Sequence, residues 1–153
     1  MAPAILLMAA GYPAGGWLGD KIFKRHKGGR LIASEIGIIL GMVGLFAALS
    51  TPNDQVLLFG ILMCFTAFFM PFASPNIIST MYDVTLPEVR SSAQSVESLI
   101  ETGGAWTAPI LAGVLADATS VGFSIKLICT AAWGLCVIFM IAAIFFIPKD
   151  IES

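Results

Sequence analysis

Long stretches of this chain carry almost no charge, and their lengths constrain its fold more than any other feature. Residues 1–19 contain no charged side chain, residues 31–82 contain only Glu35 and Asp54, and residues 119–148 contain only Lys126. A helix that crosses the hydrocarbon core of a bilayer needs about 20 mainly apolar residues. The charge pattern therefore predicts membrane-spanning helices.

Five apolar runs of suitable length are separated by short polar breaks, which predicts an all-α polytopic membrane protein with a single transmembrane domain. The chain is 58% hydrophobic and 12% charged, whereas about a quarter of a soluble domain is charged. A β-barrel would need alternating apolar and polar residues, and residues 137–147 do not alternate. Because the sequence begins within an apolar run, we expect the domain, residues 1–153, to be incomplete at its N-terminus. The predicted spans are residues 1–18, 31–50, 56–78, 92–116 and 123–147.

The basic residues predict the orientation of these spans. Five of the eight lie in the predicted loop of residues 20–30, and cytoplasmic loops are enriched in lysine and arginine. This loop and the C-terminal tail, residues 149–153, are therefore expected on the cytoplasmic side of a plasma or cytoplasmic membrane.

Several classes of function have no support in the sequence. The single His26 is far from Cys64, Cys129 and Cys136, so no spacing resembles a metal site. No nucleophile–base pair or zinc-protease motif is present. We predict no metal, no cofactor, no enzymatic activity and no nucleic-acid partner.

Prolines predict bends in two spans. Pro71 and Pro75 lie in the third span and Pro109 in the fourth, and each removes a backbone donor from the helix. Whether such a bend moves as a gate or is a static kink stays open, because both have the same sequence pattern.

The fourth span carries polar residues on one face. Gln94, Glu97 and Glu101 recur at helical spacing, with Glu97 about 9 Å and Glu101 about 15 Å along the helix from Ser91. An ionised, unpaired carboxylate is costly at that depth, and reversible protonation is one way to retain it. The alternative is a structural hydrogen bond to a neighbouring helix or, for Glu97, pairing with Arg90.

Two further patterns favour structural roles. Glu35 lies one turn inside the second span, next to the basic loop, and is expected to pair with one of the loop cations. Stripes of small residues at spacing four favour close helix packing. They include Gly11, Gly15 and Gly19 in the first span, Ala33, Gly37 and Gly41 in the second, and Gly104, Ala108 and Ala112 in the fourth.

The segment of residues 16–25 resembles the cytoplasmic-loop signature of the major facilitator superfamily, G-x-x-x-D-R/K-x-G-R/K-R/K. It departs from that signature at Phe23, where the family has glycine. The matching residues are Gly16, Asp20, Lys21, Lys24 and Arg25.

A second segment, residues 84–117, is similar to the loop and helix that open the fifth or eleventh span of such carriers. Two registers fit: helices two to six of the N-terminal half, or helices eight to twelve of the C-terminal half. The departure of the cytoplasmic-loop signature at Phe23 favours the C-terminal half. The residues similar to the fifth-span pattern are Gly104, Ala108, Pro109, Ala112 and Gly113.

The resemblance implies a secondary active transporter that moves a small solute by alternating access and is driven by a proton gradient. Asp20, Lys21 and Arg90 would hold the cytoplasmic side closed, and Glu101, with Gln94 and Glu97, would line the path and take the proton. Its partners would be the solute, protons, the lipid bilayer, and the missing half or further copies of the chain. The alternative is a non-transporting membrane scaffold or assembly subunit, since small-residue stripes alone suffice for assembly.

Overall fold

The chain folds into helices, as the apolar runs predict. A computed structural model describes residues 2–52 and 54–150, so that Met1, Asn53 and the end of the predicted cytoplasmic tail, residues 151–153, lie outside the described residues. Helix makes up 90% of the structure, and the described part contains no strand. Short 3-10 turns at Met70–Phe72 and Pro87–Val89 connect some of the helices. The helices are α1 (Ala2–Phe23), α2 (Gly29–Leu49), α3 (Val56–Phe69), α4 (Ala73–Val84), α5 (Arg90–Ala118) and α6 (Val121–Asp150).

Four helical segments are long and apolar enough to cross a membrane. They coincide with the second to fifth predicted spans, although each predicted boundary differs from the observed one by up to several residues. Helix α1 has 22 residues and contains Pro13 and several glycines. It is not among the four, so a crossing by the first span stays a prediction. The four segments are Gly29–Leu49, Val56–Val84, Pro87–Ala118 and Val121–Ile147.

The basic loop is shorter than predicted. Helix α1 continues to Phe23 and α2 begins at Gly29, leaving only residues 24–28 between them. Backbone groups just after α1 are still satisfied by helix-type hydrogen bonds. For example, the His26 amide donates to the Ile22 carbonyl at 3.0 Å. Gly29 then packs so closely on the backbone of Phe23 that a Cβ there would collide with it. Asp20 and Arg30, expected in a loop, therefore lie on two adjacent helices.

Helix α2 is the centre of the bundle. It packs against α1, α3, α4 and α6, whereas α5 contacts mainly α6 and touches α4 only near their connection. The buried apolar residues are few, namely Leu31, Ala33, Ala48 and Phe72. Close backbone approach therefore contributes more to this packing than a large apolar core does, as is usual for helices in lipid. Helix α5 is left at the edge of the bundle.

The predicted small-residue stripes pack inside the bundle in α1 and α2. A Cβ added to Gly15 would lie 2.6 Å from the Cα of Phe72, and one added to Gly41 would lie 2.5 Å from the Trp133 ring. Gly104 and Gly113 on α5 have no atom within 4 Å of such a Cβ. Of the fourth-span stripe, Gly104 and Ala108 are therefore exposed, whereas Ala112 contacts α6, where the Ser124 hydroxyl donates to its carbonyl.

The close contact at Gly15 makes a testable prediction. We expect Gly15→Ala to lower the free energy of unfolding by about 1–3 kcal/mol, because the added methyl group meets backbone rather than a flexible side chain. Gly60→Ala is the matched control: that site is open on α3, and alanine gains up to about 1 kcal/mol of helix propensity. Thermal unfolding in detergent micelles, followed by circular dichroism, compares the two. Equal midpoints would contradict the packing at Gly15.

Candidate functional site

Three charged residues form a cluster where α1, α2 and α4 end near the basic loop. The Arg30 guanidinium donates from Nε to Asp20 Oδ1 at 3.0 Å, and its Nη2 lies 3.0 Å from the same oxygen. Its Nη1 pairs with Asp83 Oδ2. The guanidinium also lies over the Phe23 ring, 4.4 Å from the centroid. We call Asp20, Arg30 and Asp83 the ionic cluster; it connects the ends of three helices.

The two ion pairs of the cluster differ in their exposure to water. The side chain of Arg30 is 18% exposed, that of Asp83 32% and that of Asp20 61%. Water screens an exposed pair and leaves it little net stability. The Asp83 pair is therefore expected to contribute more than the Asp20 pair. One guanidinium also neutralises only one of the two carboxylates, so they would repel each other without it.

The structure places most residues of the predicted cytoplasmic-loop signature outside this cluster. Lys21 Nζ lies 4.6 Å from the centroid of the exposed Trp17 ring. Lys24 and Arg25 are exposed. Gly16 is half-buried, and a Cβ there would lie 3.7 Å from Pro75. Of the predicted residues, only Asp20 joins the cluster.

Arg90 makes a separate connection between α4 and α5. Its Nη2 donates to the Tyr82 carbonyl at 2.8 Å, and its guanidinium lies 5.3 Å from the centroid of the Tyr82 ring. The Tyr82 hydroxyl donates to Gln94 Oε1 at 3.2 Å. Arg90 therefore fixes the start of α5 against α4 and contacts neither Asp20 nor Glu97.

A polar groove runs along the first half of α5. It is a shallow, open surface on one helix face rather than an enclosed cavity, and five of its six lining residues carry hydroxyl or amide groups. They are spaced as one helix face: Ser91, Gln94, Ser95, Ser98, Leu99 and Thr102. We call this surface the polar groove.

Glu97 and Glu101 lie beside the polar groove. Glu97 is half-buried and Glu101 is exposed. In the described part of the chain, neither carboxylate has a hydrogen-bond partner. Sequence reasoning located these acidic residues but missed the serine and threonine face next to them, which recurs at the same helical spacing.

The third span is interrupted at its prolines. Pro71 is buried in the Met70–Phe72 turn, and Pro75 lies in the first turn of α4. Asn76 is buried, and its Nδ2 donates to the Gly15 carbonyl at 3.0 Å and to the Phe72 carbonyl at 2.8 Å. The Asn76 amide therefore ties this interruption to α1. Helix α5, by contrast, continues through the exposed Pro109.

Glu35 does not pair with a loop cation, and that interpretation was wrong. The residue is 8% exposed, and neither carboxylate oxygen has a hydrogen-bond partner. The most suitable cation, Arg30, is held by Asp20 and Asp83. The α2 helix instead directs Glu35 into the packed bundle.

Within the residues that the structure describes, the chain is all-helical and has four helical segments long and apolar enough to cross a membrane. No family model matches the chain, and comparisons with characterised proteins and with solved structures give no significant match.

Proposed function

We propose that the chain is part of a secondary active transporter, similar to those of the major facilitator superfamily, that moves a small solute by alternating access. Transport is driven by a proton gradient, with Glu101 as the coupling carboxylate and Gln94 and Glu97 beside it on the path. The membrane is the plasma or cytoplasmic membrane, with residues 24–28 on the cytoplasmic side.

The polar groove is the observation that carries this proposal. It lies on a helical segment, Pro87–Ala118, that is long and apolar enough to cross a membrane. Lipid tails cannot hydrogen-bond hydroxyl and amide groups, so such a face has to meet water, solute or other protein. Transporters bind solutes near the bilayer midplane, at the interface between their repeats. A polar face at the edge of a partial bundle suits that position.

The ionic cluster supplies a reversible closure on the side of the basic loop. Its ion pairs connect helices without an apolar seal, so they break and reform at modest cost when helices move. Arg30 and Asp83 therefore join Asp20 in the proposed gate, while Lys21, Lys24 and Arg25 face the anionic headgroups. Arg90 positions α5, and with it the polar groove, against α4.

Thiol accessibility tests this path without knowledge of the solute. The probe is a charged, membrane-impermeant thiosulfonate, applied to the complete protein after replacement of its native cysteines. We expect Ser98→Cys to react from the aqueous phase, whereas Val96→Cys, on the apolar face of the same helix, stays unreactive. Equal reactivity at the two positions would contradict an aqueous path along α5.

A scaffold is the second candidate, and the open stripe on α5 favours it. Gly104 and Ala108, one turn apart on the same face, are exposed in the described chain, so this part of the stripe is available for another helix. A scaffold would form a stable oligomer through this stripe, and its groove thiols would be protected from the reagent. Cross-linking from Gly104→Cys, compared with thiol reactivity at Ser98→Cys, separates the two candidates.

A further inference from the structure

Glu35 is a buried carboxyl group that the proposed transport path does not use. It lies on α2, away from the polar groove of α5 and outside the ionic cluster. We propose that Glu35 is a proton-binding site, protonated when the bundle is packed as described and able to release its proton when the ionic cluster opens. The protonation stands on the geometry alone, and its link to opening rests on the proposed transport function.

Burial without a partner is the observation that carries this proposal. Both oxygens of Glu35 are enclosed and accept no hydrogen bond. Its neighbour Ser34 is fully buried, but the hydroxyl of Ser34 donates to the Arg30 carbonyl at 3.0 Å. An ionised carboxylate in such a place is strongly unfavourable, whereas a neutral carboxyl group is tolerated.

Among the side chains that the structure describes, the charged groups on the helices packed around α2 are engaged elsewhere. On α1 and α4, Asp20 and Asp83 bind Arg30, and Lys21 lies over Trp17. On α6, Lys126 donates to the Ser50 hydroxyl at the opposite end of α2. Helix α3 and the Met70–Phe72 turn carry no charged residue.

The other titratable groups on these helices also make no hydrogen bond to Glu35, whose carboxylate oxygens have no partner among the described side chains. These groups are Tyr12 on α1, Cys64 on α3, Tyr82 on α4, and Cys129 and Cys136 on α6. A proton is therefore the simplest species that neutralises the carboxylate.

Protonation at this position links proton binding to the packing of the bundle. Arg30 begins the same helix, about 7.5 Å along the axis from Glu35 at 1.5 Å per residue. When the ionic cluster opens, the end of α2 moves relative to α1 and α4, and water reaches Glu35. The packed arrangement favours the protonated form and the open arrangement favours release, so each equilibrium shifts the other.

Infrared spectroscopy of the complete protein in lipid vesicles at neutral pH tests the proposal. We expect a carbonyl band from a protonated carboxyl group that is lost in Glu35→Gln. The matched control, Glu88→Gln, removes an exposed glutamate from the turn between α4 and α5 and keeps the band. Glu35→Asp retains a protonatable group, so this variant shifts the band and serves as a second test if Glu35→Gln does not fold.

Hydrogen–deuterium exchange of the same band tests the link to opening. We expect the exchange to be at least several-fold faster in Asp83→Asn, where the ionic cluster is weakened, than in Lys24→Gln, which removes an exposed cation of the loop.

The two measurements fail in different ways. A band that persists in Glu35→Gln, or the loss of an ionised-carboxylate band instead, would overturn the protonation of Glu35. Equal exchange rates in Asp83→Asn and Lys24→Gln would overturn the link to opening. Failure of the proposed transport function would leave the carbonyl band unchanged, because the band requires no solute.

Discussion

Arg30→Gln opens the side of the bundle that faces the basic loop. Among the described residues, the substitution removes the cation that pairs with both Asp20 and Asp83, so two carboxylates at the ends of two helices lose the charge that holds them together. Loss of a partly buried, doubly paired guanidinium is expected to cost about 1–3 kcal/mol. This corresponds to about a fivefold to 140-fold shift towards the open arrangement, since about 1.4 kcal/mol is a factor of ten. Thiosulfonate labelling of Ser98→Cys from the loop side measures this shift.

The exposure of each pair predicts a ranking of the variants. Asp83→Asn should approach the effect of Arg30→Gln, because Asp83 is the less exposed acid. Asp20→Asn should shift the equilibrium least among the three, because water screens that pair more strongly. Lys24→Gln is the control for loss of a positive charge from the loop side. If the control shifts the labelling as much as Arg30→Gln does, general surface charge, rather than the cluster, sets the equilibrium.

A double variant separates the cluster from unrelated destabilisation. Arg30→Gln and Asp83→Asn remove the two partners of one pair, so the combined effect should be smaller than the sum of the single effects. Part of the cost of Arg30→Gln comes from stranding Asp83 as an uncompensated charge, and the second substitution relieves this part. Strict additivity would show that the two residues act independently.

The sequence was sufficient to predict the helices, because the hydrophobic spans are set by local chemistry. The predicted apolar runs coincide with α2, with the α3–α4 segment, and with α5 and α6. The boundaries were less predictable near the loop: charged side chains extend a helix without penalty where they reach water, so Asp20 and Lys21 lie on α1. The sequence composition does not show that Gly29 approaches the backbone of Phe23 closely at this turn.

The candidate site was predictable only where its members share one helix. Glu97, Glu101 and Gln94 follow from helical spacing, whereas Arg30 and Asp83 are 53 positions apart and meet only because the third span returns α4 to α1. Glu35 shows the same limit. Its closeness in sequence to the basic loop suggested an ion pair, but the orientation of α2 points the carboxylate into the bundle. Pairings between helices depend on packing that no single-helix pattern contains.

Glu101→Gln is expected to uncouple transport from the proton gradient. A neutral amide resembles the protonated carboxyl group in shape but cannot release a proton, so solute still exchanges across the membrane without being accumulated. A gradient of one pH unit is worth about 1.4 kcal/mol per proton. If one proton is transported with each molecule of a neutral solute, this gradient supports about tenfold accumulation of the solute. In the variant, this ratio falls to about one. Uptake of a panel of radiolabelled polar solutes into vesicles containing the complete protein measures the ratio.

The neighbouring carboxylates make this assignment specific. Glu88→Gln removes an exposed acid outside the groove and should keep accumulation intact, so it controls for the loss of a negative charge. Glu97 lies one turn from Glu101 on the same face and nearer the start of the helix. We therefore expect Glu97→Gln to reduce the rate of solute uptake and to retain proton coupling. If accumulation survives in Glu101→Gln but is lost in Glu97→Gln, the coupling carboxylate is Glu97, one turn away, rather than Glu101. If accumulation is lost in Glu35→Gln and survives in both α5 variants, the coupled proton binds at Glu35 on α2. The polar groove on α5 then contacts the solute but not the proton.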